Sequence, residues 1–320
     1  MSFCRVISSV AALTLSICAV TASAADWPAR RLHIIVASTA GGGTDLVTRM
    51  VGAKLTDALK QPVVVESKPG GNGAIADDYV ANAPADGYVI LFQSQSITVN
   101  SSISKVSYDP LVHFQPVAKL ISQAFVIVAT PKLPVKTLRD VVAYSLTRPK
   151  GLNAAVPGSA TYLTGELFKL TTNARLEFVP YKGGAPAALS IIGGETDIAF
   201  MDVPSIAAHI TGGRVNALAV TTEKRVKLIP DVPTAAEAGM PELKVEGWLG
   251  SFAPANTPAD IVNRLNAEIN TALRAPDVAE KIVQIGGEPA QTTVAEFTKF
   301  YRAEIARWKD VVTQAKIKRE

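Results

Sequence analysis

The sequence predicts an α/β protein of two lobes, each a mostly parallel sheet flanked by helices, with a cleft between them. Three observations predict it. Strand-like and helical stretches alternate from residue 32 onwards, the rhythm of βαβ units that places helices on the faces of a parallel sheet. The opening arrangement of strand, small polar glycine-containing turn and helix recurs after residue 152. The chain has 320 residues, enough for two domains of ordinary size even after a leader is removed.

The leader is expected over residues 1–24. Arg5 supplies the positive start, residues 6–20 are largely apolar, and Ala22-Ser23-Ala24 offers the small-x-small cleavage pattern of a secreted protein. The expected destination is the periplasm. Ile17 before Cys18 is not the small residue that lipid anchoring would need. Removing 24 residues from 320 leaves 296 and takes away Cys4 and Cys18, the only cysteines. That excludes disulfides and a thiol nucleophile; an exported chain of this size can rely on its core instead. The formal charge falls from +4 to +3, because Arg5 is the one charged residue lost. With 32 Lys and Arg scattered among 28 Asp and Glu, no nucleic-acid surface is expected. Nothing after the leader reaches the 18 or so uninterrupted apolar residues of a membrane span.

The first predicted unit is LHIIVASTAGGGTD, residues 32–45. A strand over 32–36 runs into a polar turn and three glycines, and a helix begins at Thr44 or Asp45, with Leu46, Val47, Met50, Val51 and Leu55 among its apolar positions. Such a turn aims free backbone N–H groups at an anion, and glycine leaves the approach clear. An ordinary βα turn with Asp45 as a helix cap explains the same residues. No Lys-Ser or Lys-Thr closes the glycine run and the spacing is not G-x-G-x-x-G, which sets nucleotide binding aside.

A second strand over 63–66 leads into the Lys68-Pro69-Gly70-Gly71-Asn72-Gly73 turn, a helix over 74–83 and the Asp86-Gly87 turn. The third strand, 88–92, ends in Gln93, Ser94, Gln95 and Ser96. Ligands of open α/β sheets sit beyond the carboxyl ends of the strands, where Ser38, Thr39, Gln93 and Ser94 lie. The apolar run 114–129, broken at Ser122-Gln123, is taken as the first passage between lobes. A helix over 138–146 and a strand over 152–156 follow. Pro157, Gly158, Ser159, Ala160 and Thr161 then repeat the polar turn before a helix over 162–170. Residues 178–184 read as a further turn before a helix over 186–192. A strand over 197–201 ends at Asp202, Pro204 and Ser205; a helix over 207–210 and a strand over 215–220 complete this lobe. Residues 248–253 return the chain to the first lobe, and helices over 261–273, 276–285 and 294–315 cover it. The expected boundaries are 25–123 and 247–320 for the first lobe, and 124–246 for the second.

Enzymatic chemistry finds little footing. His33, His113 and His209 stand singly, without metal-ligand spacing, and there is no G-x-S-x-G elbow. Asp45, Asp197 and Asp202 are acid–base candidates in principle, but an Asp beside a helix start more often caps N–H groups, and Asp45 is read that way. No cofactor and no metal are expected.

Several short motifs occur in order: Pro28-Ala29-Arg30, Ala40-Gly41-Gly42-Gly43-Thr44-Asp45, residues 68–73, Asp86-Gly87-Tyr88, Tyr108-Asp109, Pro180-Tyr181-Lys182-Gly183, Pro230-Asp231-Val232-Pro233-Thr234, Gly247-Trp248 and Pro254-Ala255-Asn256-Thr257-Pro258. With them the chain, from about Trp27 to its end, resembles the Bug/TctC family, exported solute receptors of tripartite tricarboxylate transporters. The resemblance implies a type II-like periplasmic binding protein that closes on a small carboxylate-bearing solute. It implies delivery to a multi-span membrane carrier and its small membrane subunit, with the receptor a monomer. It maps a first binding loop to Ser38, Thr39, Gly41, Gly42, Gly43, Thr44 and Asp45. A second maps to Pro157, Gly158, Ser159, Ala160 and Thr161, with Asp202 and Ser205 nearby and Gln93 and Ser94 beside the first. The chain departs from the family pattern at Ala37, Ser67, His113 and Tyr162. Two other readings stay open: an exported enzyme acting on a small carboxylate, excluded by binding without turnover, and a ligand sensor for a membrane signalling protein, excluded by dependence on a carrier.

Overall fold

The computed structural model describes residues 27–38, 40 and 43–318; the leader and Thr39, Gly41 and Gly42 lie outside them. Ten strands and ten α-helices follow one another as β1 Leu32–Val36, α1 Gly43–Leu59, β2 Val63–Ser67, α2 Ala74–Ala81, β3 Val89–Ser94, α3 Ser96–Ile103, β4 Phe114–Ala129, α4 Leu138–Thr147, β5 Leu152–Val156, α5 Ser159–Thr172 and β6 Leu176–Pro180. The second part comprises α6 Gly184–Gly193, β7 Ile198–Asp202, α7 Val203–Thr211, β8 Asn216–Val220, β9 Glu246–Pro254, α8 Ala259–Arg274, α9 Pro276–Gln284, β10 Gly287–Pro289 and α10 Val294–Gln314. Among the described residues no helix is long and apolar enough to cross a membrane.

Two parallel three-strand units form the lobes. In one, β1 lies between β2 and β3; in the other, β5 lies between β6 and β7. Two long strands then run antiparallel to these units and link them, which makes each sheet mixed. Along β4, residues Phe114 to Ala124 pair with β9, while Phe125 to Ala129 pair with β7 and Val126 to Ala129 with β8. β9 in turn pairs with β3.

Each sheet is buried on both faces, as strands with helices on either side must be. One face of the first sheet packs Ile34, Val51, Leu55, Phe92, Leu265 and Ile269. The other packs Ile35, Leu91, Trp248, Phe252, Phe297 and Tyr301. Phe168 and Phe200 centre one face of the second sheet, Met201 and Ile206 the other. A fifth cluster joins the lobes: Val99 of α3 and Trp308, Val311 and Val312 of α10 meet Leu163 of α5 and Phe125 of β4. Helix starts are fixed locally where the sequence provides caps. Thr137 with Asp140 and Thr293 with Glu296 form capping boxes.

The structure corrects two local expectations and adds two elements. Ser122-Gln123 does not interrupt β4; these residues are half-buried because the strand crosses between lobes there, with a cavity on one side. Residues 96–103 form α3, although Ser, Thr, Val, Ile and Asn are weak helix formers, because Ile97 and Val99 are buried, with α10 packed on the helix. Residues 178–180 belong to β6, paired with β5, and the turn begins only at Tyr181. Gly287–Pro289 adds a short strand against β4 that three residues could not announce.

Candidate functional site

The carboxyl ends of β1, β3, β5 and β7 converge on one cavity of about 570 Å³ between the lobes. Of the predicted site residues, Ser38, Thr44, Gln93, Ser94, Pro157, Gly158, Ser159, Ala160, Thr161 and Asp202 line it. Gly43 opens α1, Ser205 sits behind Asp202, and Thr39, Gly41 and Gly42 lie outside the described residues.

On the second lobe, β5 ends at Val156 and α5 starts at Ser159, so Ser159, Ala160 and Thr161 form the helix's first turn instead of preceding it. The early N–H groups of a helix have no partner within it, which leaves donors at this end. Gly158 precedes them in extended backbone, and a Cβ there would meet nothing within 4 Å among the described residues. The Thr161 hydroxyl is used locally, accepting from Gly158 N–H at 3.1 Å and donating to Gly158 C=O at 2.9 Å. On the first lobe the Ser38 hydroxyl is buried and has no hydrogen-bond partner among the described residues. A buried hydroxyl without a partner is costly unless water or a ligand completes it.

Asp45 is not among the described lining residues. Its carboxylate is buried and takes a two-point ion pair from Arg49, at 2.9 Å from Nε and 3.0 Å from Nη2, with Ser67 Oγ donating at 3.3 Å. Donating to the Asp45 carboxylate also raises the affinity of Arg49 for its proton. Asp202 caps α7: its Oδ2 accepts from Ser205 N–H at 3.2 Å and from Ser205 Oγ at 2.6 Å. Gly184 makes room for that pair, since a Cβ there would stand 2.1 Å from Ser205 Oγ. Tyr162, one of the departures from the family pattern, lies off the cavity wall with its ring edge-on to Phe178 at 5.1 Å.

Sequence reading missed part of the wall. Pro69, Gly70, Asn72 and Gly73 line the cavity, as do Gln95, Ser96, Gln123 and Phe125, and Gly183 and Gly184 on the second lobe. The glycine-rich turn 68–73 was visible as a turn, but nothing in it says which way it faces. Gly73 is needed by close approach: at φ +96° its missing Cβ would stand 2.0 Å from Gln93 Nε2. Gln123 gave no motif; only its place on the crossing strand brings it here.

Behind the wall lies a buried carboxylate. Asp77 Oδ1 accepts from Gln93 Nε2 at 2.7 Å and Oδ2 from Tyr108 Oη at 2.6 Å. Burial pushes the Asp77 carboxyl up to about 7 against the two hydrogen bonds, and burial beside Asp77 also raises Tyr108. Among the described residues no cluster of His, Cys, Asp and Glu could hold a metal ion.

Two α/β lobes, linked by antiparallel crossing strands and enclosing a polar cavity at their strand ends, define a type II-like periplasmic binding protein. The particular family follows from comparison. The sequence model of the tripartite tricarboxylate transporter family receptor matches residues 47–317, and the chain belongs to that family. It is 36% identical to protein BugT of Bordetella pertussis over 92% of this chain and 93% of that one. The solved structure of Rpa4515 of R. palustris with adipate is 33% identical, with a TM-score of 0.79, and covers 92% of this chain and 100% of the other. MatC of Rhodopseudomonas palustris, solved with bound malate, is 30% identical with a TM-score of 0.74, over 89% and 99%. The protein is therefore a periplasmic transport receptor.

Proposed function

We propose that the protein binds a small carboxylate-bearing solute between the residue 38–45 loop and the residue 157–161 loop, closes on it, and delivers it to a membrane carrier. One observation carries the reading: Ser38 and Thr44 on the first lobe and Pro157 to Thr161 at the start of α5 line one cavity, with the Ser38 hydroxyl lacking a partner among the described residues and Gly158 open. Helix N-termini hold unpaired N–H donors and a partial positive charge, so an anion can be held without a Lys or Arg. No basic side chain is among the described lining residues. Relatives solved with adipate and malate support a carboxylate as the ligand class.

The moving units in this reading are residues 25–123 with 247–320, and residues 124–246. The exchange of partners along β4 supports that division. Closure excludes water from the cavity and strengthens the polar contacts, so the closed form is populated by ligand. A multi-span carrier with a small membrane subunit would recognise that form, with the receptor acting as a monomer.

Gly158→Val tests the clamp. Its backbone is extended and its side-chain space is empty, so the fold should keep its thermal midpoint. The valine would project toward the cavity and should weaken carboxylate binding at least tenfold by calorimetry. Gly42→Val should do the same from the first loop. Unchanged affinity in a folded Gly158→Val protein would refute the reading.

A further inference from the structure

We infer that the solute carries a hydrogen-bond donor, a hydroxyl or an ammonium group, in addition to its carboxylate, and that Ser94 and Asp202 select it. This rests on the clamp reading above and concerns the walls beside the two donor turns.

The first wall is a closed ring of oxygens. Gln93 Oε1 accepts from Ser94 N–H at 2.8 Å and from Ser96 Oγ at 3.2 Å. Ser94 Oγ stands 2.9 Å from Ser96 Oγ and 3.3 Å from Gln93 Oε1. Each serine has one proton to donate, and both are accommodated inside this ring. What remains for a ligand is lone pairs. The orientation is fixed from behind, because Gln93 Nε2 donates to the buried Asp77, which also holds Tyr108. A flipped amide would set its NH₂ group against Ser94 N–H and break the Asp77 contact together.

The second wall is Asp202, the sole charged side chain among the described lining residues. Its Oδ2 is occupied by Ser205, whereas Oδ1 has no donor among the described residues. Gly184 lies alongside, 3.4 Å from Oδ1 to the position of a missing Cβ, so no side chain from it screens the oxygen. An anionic solute with no donor would leave that carboxylate uncompensated and the serine oxygens unpaired once water is expelled. A solute bearing a hydroxyl or ammonium satisfies both walls, and a site built around such a group rejects the analogue that lacks it.

The test is calorimetric titration of the mature protein with three matched pairs: L-malate against succinate, L-glutamate against glutarate, and mandelate against phenylacetate. The donor-bearing member should bind at least tenfold tighter in at least one pair, and the pair tells hydroxyl from ammonium. Ser94→Ala and Asp202→Asn should each reduce that preference about tenfold, chiefly by weakening the donor-bearing acid. Asn caps helices as well as Asp does, so loss through misfolding is not expected, and Asp202→Ser is the second capping variant. Equal or tighter binding of the donorless acids overturns the inference, as does a preference that survives both substitutions. If donorless acids bind and Gly158→Val abolishes that binding, the clamp stands and only this inference falls. If none of the six acids binds, both fall.

Discussion

Asp77→Asn should flatten the pH dependence of stability. In the unfolded chain the Asp77 carboxyl ionises near its usual 3.8, and in the folded protein burial moves it to about 7. Below the lower value both states are protonated and the group has no effect. Between the two, the unfolded chain is ionised while the native protein still holds the proton, so native stability falls as pH rises. Above the upper value the loss is complete. A shift of about 3 units at 1.36 kcal/mol each is about 4 kcal/mol, of which roughly 2–3 kcal/mol falls between pH 5 and pH 8. Asparagine fits the same partners, accepting from Gln93 Nε2 and donating to Tyr108 Oη, but does not titrate. Unfolding in urea should therefore show the variant gaining roughly 2–3 kcal/mol on the parent from pH 5 to pH 8, or about 3–5 °C in thermal midpoint. Glu304, which burial also raises, titrates in both proteins and cancels in the difference. Parallel pH curves for variant and parent would refute the argument.

Gly73→Ala should both strain a left-handed residue and push aside Gln93, costing about 2–4 kcal/mol in urea unfolding together with measurable loss of affinity for any bound carboxylate. Leu163→Ala would open a cavity in the cluster joining the lobes and should destabilise by about 2–5 kcal/mol, read by the same denaturation. Trp248→Ala, which removes the ring packed against Phe252, Phe297, Phe300 and Tyr301, should cost about 3–5 kcal/mol in the same denaturation. Intact mass of protein from a periplasmic extract should show residues 1–24 removed; retention of the full chain there would contradict the leader.

Much of the fold was legible because its signals are local. The alternation of apolar strands with amphipathic helices in residues 32–92 and 152–220 is written in side-chain periodicity, and turns such as Lys68 to Gly73 are written in glycine and proline. The α3 helix was not legible because packing against α10, and not intrinsic propensity, makes it helical. Gly287 to Pro289 became a strand only by meeting β4 across more than 160 positions of chain. In the site, both polar turns were visible, since a turn between a strand and a helix has a recognisable composition. For Asp45 the ion pair with Arg49 and the bond from Ser67 were not legible, because sequence cannot tell which way a carboxylate at a helix start turns.

By itself, then, the sequence determined the lobes' βα units, the two glycine-bearing turns, the expected leader and the resemblance to a receptor family. Tertiary structure decided which of those turns share a cavity and what lines the space between them. Gln93, Asp77 and Tyr108 lie up to 31 positions apart, and only the folding of α2 onto β3 makes them one hydrogen-bonded unit. Gln123 and Phe125 reach the cavity only because β4 crosses between lobes. The reason is physical: periodicity and turn chemistry act over a few residues, whereas a binding wall is assembled from long-range packing and hydrogen bonds that leave no mark at any one position.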